Sequence, residues 1–287
     1  MRNNAAMRSA RRNHASDLLR DLSIEITARD HDKIDQLRGR IPAKTPISIT
    51  FLPGEDFESR VLAACRVREA GFIPIPHISA RRLCSADELD SFLAALTAKA
   101  SVDRLFVVGG DIAEPAGPFA DALSVIQSGA LARHGIAQVG IAGYPEGHPQ
   151  IAAATLDRAM FDKLEALDAA GHGSWIATQF GFDADPVLDW LAALRTRTAV
   201  PVRIGVAGPA SIKALLRFAA RCGVGVSTKV MAKYGLSLTQ LLGSAGPGPL
   251  IEELAERLRP GMHGDVRLHF YPFGGLEKTA DWIADFH

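Results

Sequence analysis

Cysteine is scarce in this chain. Among 287 residues there are three, Cys65, Cys84 and Cys222. The number is odd, the spacings are wide and no CxxC occurs, which excludes a disulfide framework and a cysteine-based zinc site. A reducing, cytoplasmic setting is expected. Net charge is also missing, because 32 Lys+Arg balance 32 Asp+Glu. Nucleic-acid partners call for a basic excess on one face, so none is expected. No apolar run approaches the roughly 20 residues that cross a bilayer, so no membrane partner is expected. Several motifs are absent too. There is no GxGxxG after a strand, no GxxxxGK[ST], no GxSxG, and no HxH or HExxH. These absences speak against a Rossmann cofactor site, a P-loop, a hydrolase elbow and a zincin. No metal is expected, although His77, His148 and Asp111 are the residues from which one site would be built.

What is present is a regular alternation. Hydrophobic residues make up 47% and charged residues 22%, the proportions of a globular protein. Short β-branched runs occur at 23–27 (SIEIT), 46–52, 73–79 (IPIPHIS), 104–110, 138–144, 174–180, 201–207 and 266–273. Helical periodicity fills 57–70, 86–100, 118–134, 154–170, 185–197 and 211–222. Ser85, Asp183 and Asp185 supply starts, and Gly71, Gly135, Gly171 and Gly223 supply stops. Eight strand–helix units imply parallel strands with right-handed crossovers. The expected fold is an α/β (β/α)8 TIM barrel, with an open doubly wound sheet as the alternative. Residues 224–262 exceed one crossover and read as extra helices before the last strand, at 228–242 and 248–259, broken by GSAGPGP. Residues 1–22, with five arginines and Asp17 as the sole acid in the first 20, read as an N-terminal helical extension. A transit peptide is the alternative there. Residues 23–287 form one catalytic domain on this reading.

Barrels place chemistry at the C-terminal ends of their strands. Polar residues fall there on six successive strands: Glu25, Thr50, His77, Asp111, Tyr144 with Glu146 and His148, and Gln179. Each alone has a plain structural explanation, such as a rim ion pair for Glu25 or a turn cap for Asp111. Their convergence on one mouth is what points to a site.

The same residues lie in strings that resemble the methylenetetrahydrofolate reductase family. The strings are IEIT at 24–27, ITF at 49–51, IPHIS at 75–79, GGD at 109–111, GYPEGHP at 143–149, TQFGFD at 178–183 and HFYPF at 269–273. They span residues 23–273, and GYPEGHP and TQFGFD are the most specific. The resemblance implies a barrel in which FAD takes a hydride from NADH or NADPH. The flavin then passes it to 5,10-methylenetetrahydrofolate, giving 5-methyltetrahydrofolate. Glu25 matches the general acid that protonates the folate ring nitrogen. Asp111 matches a residue between flavin and folate, serving catalysis and both ligands. Thr50, His77, Gly110, Tyr144, His148, Asp157 and Lys163 match flavin-contacting positions. Gln179 matches the pterin-binding amide, and Phe218 matches an aromatic that stacks on folate or nicotinamide. Phe218 reads equally as part of a core face with Leu215 and Leu216.

Four positions depart from the family pattern. Gly109 stands where arginine is usual, Met160 where a polar flavin contact is usual, Ala214 for a glutamine and Gly275 for an arginine. The first two leave a flavin-free reductase with direct hydride transfer as an alternative. A non-enzymatic folate-binding subunit of a methyltransferase system is another, which retention of Glu25 argues against. An aldolase or lyase has little support, since Lys229 and Lys233 fall in an expected helix. The choice of NADH or NADPH and any homo-oligomer are left open.

Overall fold

The computed structural model describes residues 17–225 and 243–286. Its centre is a closed barrel of eight parallel strands. In chain order these are β1 (Ser23–Thr27), β2 (Pro46–Thr50), β3 (Ile73–Ser79), β4 (Arg104–Val108), β5 (Gln138–Gly143), β6 (Gly173–Gly181), β7 (Val202–Ala207) and β8 (Val266–Tyr271). Neighbouring strands are neighbours in sequence, and β8 closes on β1 with Ser23 opposite His269. This is the expected TIM barrel.

Alternation along each strand separates two faces. Outward residues are apolar: Ile24 and Ile26, Ile47 and Ile49, Val202 and Ile204, Leu268 and Phe270 are all buried under the helices in one continuous core. Burying each such side chain contributes about 1.5–3 kcal/mol. The inward face differs around the barrel. Ile75, Phe106, Trp175 and Ala177 form an apolar plug. Gly140 makes room for it, since a Cβ there would run into the Trp175 and Phe106 rings. On β1 and β8 the inward positions are Glu25, His269 and Tyr271, so that side of the interior is polar.

The helices begin where the sequence supplies caps. In α1 (Phe57–Glu69) the Asp56 side chain accepts from Ser59 N–H. In α2 (Ala86–Ala100) Ser85 accepts from Glu88 N–H. Three expectations change. The connection after β1 has no α-helix, only two 3-10 turns at Ala28–Asp30 and Ile34–Leu37. The 118–134 segment divides into α3 (Ala122–Gln127) and α4 (Ala130–Arg133), because Gly129 turns the chain at φ +73°. Then come α5 (Ala153–Ala169), α6 (Ala184–Arg195) and α7 (Ile212–Cys222). Of the two extra helices, 228–242 lies outside the described residues. The other is α8 (Gly248–Arg257), followed by the short α9 (Pro260–His263). An unexpected two-residue antiparallel ladder joins Ala210–Ser211 to Ser244–Ala245. Helix α10 (Leu276–Asp285) ends the fold. Residues 1–16 of the expected extension lie outside the described residues, and 17–19 form a helical turn whose Leu19 is buried in the core. Among the described residues no helix is long and apolar enough to cross a membrane.

Candidate active site

Glu25 reaches the interior near the C-terminal end of β1. It is 20% exposed, and one of its oxygens lies 3.8 Å from His77 Nε2 and 3.9 Å from His269 Nε2. Among the described residues no lysine or arginine approaches it within 4.0 Å. The carboxyl group therefore sits between two imidazoles, with no fixed cation among the described residues claiming its oxygens. His269 is oriented from behind, with Nδ1 2.8 Å from the Ser23 hydroxyl. The His77 ring packs against Phe106, with centroids 4.8 Å apart and the planes tilted by 35°. Burial pushes His77 down to about 4, against the pull of Glu25, so the ring is neutral at neutral pH.

Tyr271 completes this wall. Its hydroxyl donates to the Thr178 carbonyl at 3.0 Å. Burial, then the neighbouring Glu25, Tyr144 and Cys222, hold its proton well above the usual phenol range. Cys222, at the end of α7, is also pushed up by burial. His269 and Tyr271 were not singled out from sequence. Their signal was the alternation Arg267, His269, Tyr271 along β8, which sets every polar residue of the strand on the inward face.

The folded histidine carries a pH prediction. The unfolded chain takes up a proton near pH 6.5 and folded His77 only near 4. The protein therefore loses stability as pH falls through that window, by at most about 1.4 kcal/mol per pH unit. Thermal midpoints measured from pH 7 to 4 should show this slope. In His77→Gln the slope should flatten, and an unchanged slope would remove His77 as its cause.

Gln179 owes its position to a bulge. The β6–β7 register moves from Ala177↔Arg203 to Phe180↔Gly205, which inserts one extra residue in β6. Bulges re-aim side chains in this way. The kink is held by Thr178, whose hydroxyl accepts from Gly205 N–H at 2.8 Å. Gln179 Oε1 accepts from Phe180 N–H at 3.1 Å. Gln179 faces a cleft shared with Tyr144, Glu146 and Cys222. Glu146 accepts there from Gly225 N–H at 3.1 Å, and burial pushes its carboxyl up.

Asp111 follows the strand-four glycines. Gly110 adopts φ +98°, a conformation that suits glycine, and a Cβ on Gly109 would meet open space. Asp111 is exposed and held by Arg82 at 2.7 Å, a partner the sequence did not indicate. Thr50 ends β2, one strand from His77. Tyr144 and His148 pack edge-to-face at 5.5 Å. Phe218 stacks on Phe273 at 4.1 Å and 14°, beside Phe180 and Tyr271, so it is at once part of an aromatic cluster and near the mouth.

Two residues on α5 stand apart. Asp157 is exposed and paired with Arg197 at 2.7 Å. Lys163 is half-buried, its charge opposed by burial and supported by Asp121 at the cap of α3. Among the described residues one cluster has metal-ligand spacing, Asp183 with Asp185 and Glu253. Arg257 already donates to Asp185 and Glu253 there.

Residues 103–274, more than half of the chain, match the family described as methylenetetrahydrofolate reductase. A solved structure from Clostridium thermocellum, of a protein described as binding two copies of 5-methyl-5,6,7,8-tetrahydrofolic acid, is similar with a TM-score of 0.58 and 14% identity. The match covers 92% of this chain and 93% of that one. Dihydropteroate synthase from Thermus thermophilus is similar at a TM-score of 0.48 and 14% identity, over 93% and 91% of the two chains.

Proposed function

The chain belongs to the methylenetetrahydrofolate reductase family, and from that premise we propose that it reduces 5,10-methylenetetrahydrofolate to 5-methyltetrahydrofolate with NAD(P)H through bound FAD. The observation that carries the reading is Glu25, a carboxyl group facing the mouth between two imidazoles and without a cationic partner among the described residues. A proton donor at a folate nitrogen has this requirement, since a fixed arginine would hold the group as its anion. The Clostridium thermocellum protein binds a methylated folate on a similar fold.

The residues fit a flavin at the mouth. Gly109 leaves open space beside Gly110, and Thr50, His77, Tyr144 and His148 offer hydroxyl and imidazole partners. Those five, Gly110 included, would hold the ring, with Lys163 the proposed charge for its pyrophosphate. When bound, FAD supplies the relay of a hydride from NAD(P)H to the folate. Glu25 delivers a proton to the folate ring nitrogen, and the methylene bridge opens to an iminium ion that accepts the hydride as a methyl group. Neutral His77 flanks the acid on one side and His269 on the other. Asp111 offers an acceptor to the pterin amino group and a negative charge to the iminium, with Arg82 fixing its carboxylate. The Gln179 amide presents donor and acceptor to the pterin edge.

The experiment is Gln179→Ala. Its KM for methylenetetrahydrofolate should rise about tenfold, while NAD(P)H oxidation by a quinone stays near wild type. An unchanged KM would contradict the pterin pose. One observation favours a second reading, direct hydride transfer without flavin. Met160 is buried in the core and Gly109 carries no side chain, so two polar contacts usual in the family are missing.

A further inference from the structure

The end of the barrel opposite the mouth gathers three arginines that the proposed reaction does not use. A cavity of about 300 Å³ opens there, at the lower end of the range for small-molecule sites. Arg104 of β4, Arg203 of β7 and Arg267 of β8 line it, together with Gln138, Asp265 and Trp175. Arg203 and Arg267 stand directly opposite each other on neighbouring strands. Like charges in that relation are destabilising.

Two of the three arginines have partners. Arg104 pairs with Asp103 at 3.0 Å. Arg267 pairs with Asp21 at 2.8 Å and Asp265 at 3.2 Å. Arg203 differs. Its Nη1 donates to the Asp21 backbone carbonyl at 2.8 Å, and no carboxylate lies within 4.0 Å of it among the described residues. Burial, and then the charge of Arg267, push it down to about 10 against the pull of Asp21 and Asp265. A ring of ion pairs that only sealed the barrel would set one carboxylate against each guanidinium, whereas Asp21 and Asp265 both turn to Arg267. Here one guanidinium is left facing a cavity between two others.

We propose that this opening binds a small polyvalent oxyanion, a phosphate or polycarboxylate group, gripped by the Arg203 fork with Arg104 and Arg267 answering the remaining charge. Trp175 and the adjoining apolar wall would take the body of a metabolite carrying that group. The proposal goes beyond the reductase reading, and no residue assigned at the mouth takes part in it.

Isothermal titration with inorganic phosphate, and separately with citrate, at constant ionic strength tests it. Wild-type protein should bind one equivalent of at least one of them saturably. The tighter of the two identifies the source as a phosphate or a carboxylate metabolite. Arg203→Met keeps the apolar stem and removes the fork, and should weaken binding at least tenfold. Should that variant not fold, Gln138→Glu serves. Gln138 is exposed and pairs in register with Arg104. A carboxylate there supplies the missing anion from within, so binding should fall at least tenfold while the thermal midpoint rises. Gln179→Ala, at the other end, should bind as wild type does. No saturable binding of either anion, or binding unchanged in the folded variants, would overturn the proposal and leave an ion network alone.

Discussion

Glu25→Gln should lower reduction of methylenetetrahydrofolate by roughly two to four orders of magnitude, the range of a lost general acid. The substitution preserves size and one carbonyl acceptor but cannot release a proton. Its neighbours give the expected selectivity. His77 and His269 lie 3.8 and 3.9 Å from the carboxyl group, too far to hold a tight hydrogen bond that the amide would break. Folding should therefore be near wild type, and so should NAD(P)H oxidation by a quinone, which needs no folate proton. The measurement is kcat for both reactions on one preparation. Equal losses in both would place Glu25 in binding of the hydride donor or cofactor, and full folate activity would remove it from the chemistry.

Gly205→Ala should be a strongly damaging small substitution near the site. A Cβ at this position would lie 2.5 Å from the Thr178 carbonyl oxygen, 2.7 Å from Phe180 N and 2.8 Å from the Gln179 carbonyl carbon. All three are backbone atoms of the β6 bulge, so no side chain can swing aside. Overpacking of this kind costs about 3 kcal/mol, which lowers the thermal midpoint by roughly 6 °C. The same clash pushes on the kink that aims Gln179, so the folate KM should rise alongside. Gly109→Ala is the control, because a Cβ there meets nothing within 4 Å. If Gly205→Ala melted as Gly109→Ala does, the bulge would not be the rigid support described here.

Much of this architecture was legible because strands and helices announce themselves locally. The β-branched runs fell within one or two residues of the eight strands, and Ser85 and Asp183 cap helices as expected. The polar strand ends converge at the mouth for Glu25, Thr50, His77, Tyr144 and Gln179. What was not legible depends on contacts between distant residues. Ser23 and His269 are 246 positions apart, and only barrel closure brings β8 against β1. The second imidazole beside Glu25 and the Tyr271 hydroxyl follow from that closure. The Arg82–Asp111 pair joins two loops through a long flexible side chain, for which no spacing rule exists. The β6 bulge is set by the fit of Thr178 over Gly205, while the string TQFGFD reads as an ordinary strand end. The connection after β1 buries Ile34 and Leu37 through a short 3-10 segment and Ile41 just beyond it, without an α-helix.

The central claim is that this mouth carries hydride from a nicotinamide to a folate. Protein freed of flavin and titrated with FAD, with 5-methyltetrahydrofolate quantified at each occupancy under NADH and under NADPH, tests it most directly. On the proposed reading, each polar contact missing at Gly109 and Met160 would cost about 1–3 kcal/mol of cofactor binding. FAD should therefore bind less tightly than in relatives that keep those contacts, and methyltetrahydrofolate formation should rise in proportion to bound FAD. Full activity with no flavin would replace the relay by direct transfer. Absence of methyltetrahydrofolate at every occupancy, with either nucleotide, would contradict the account.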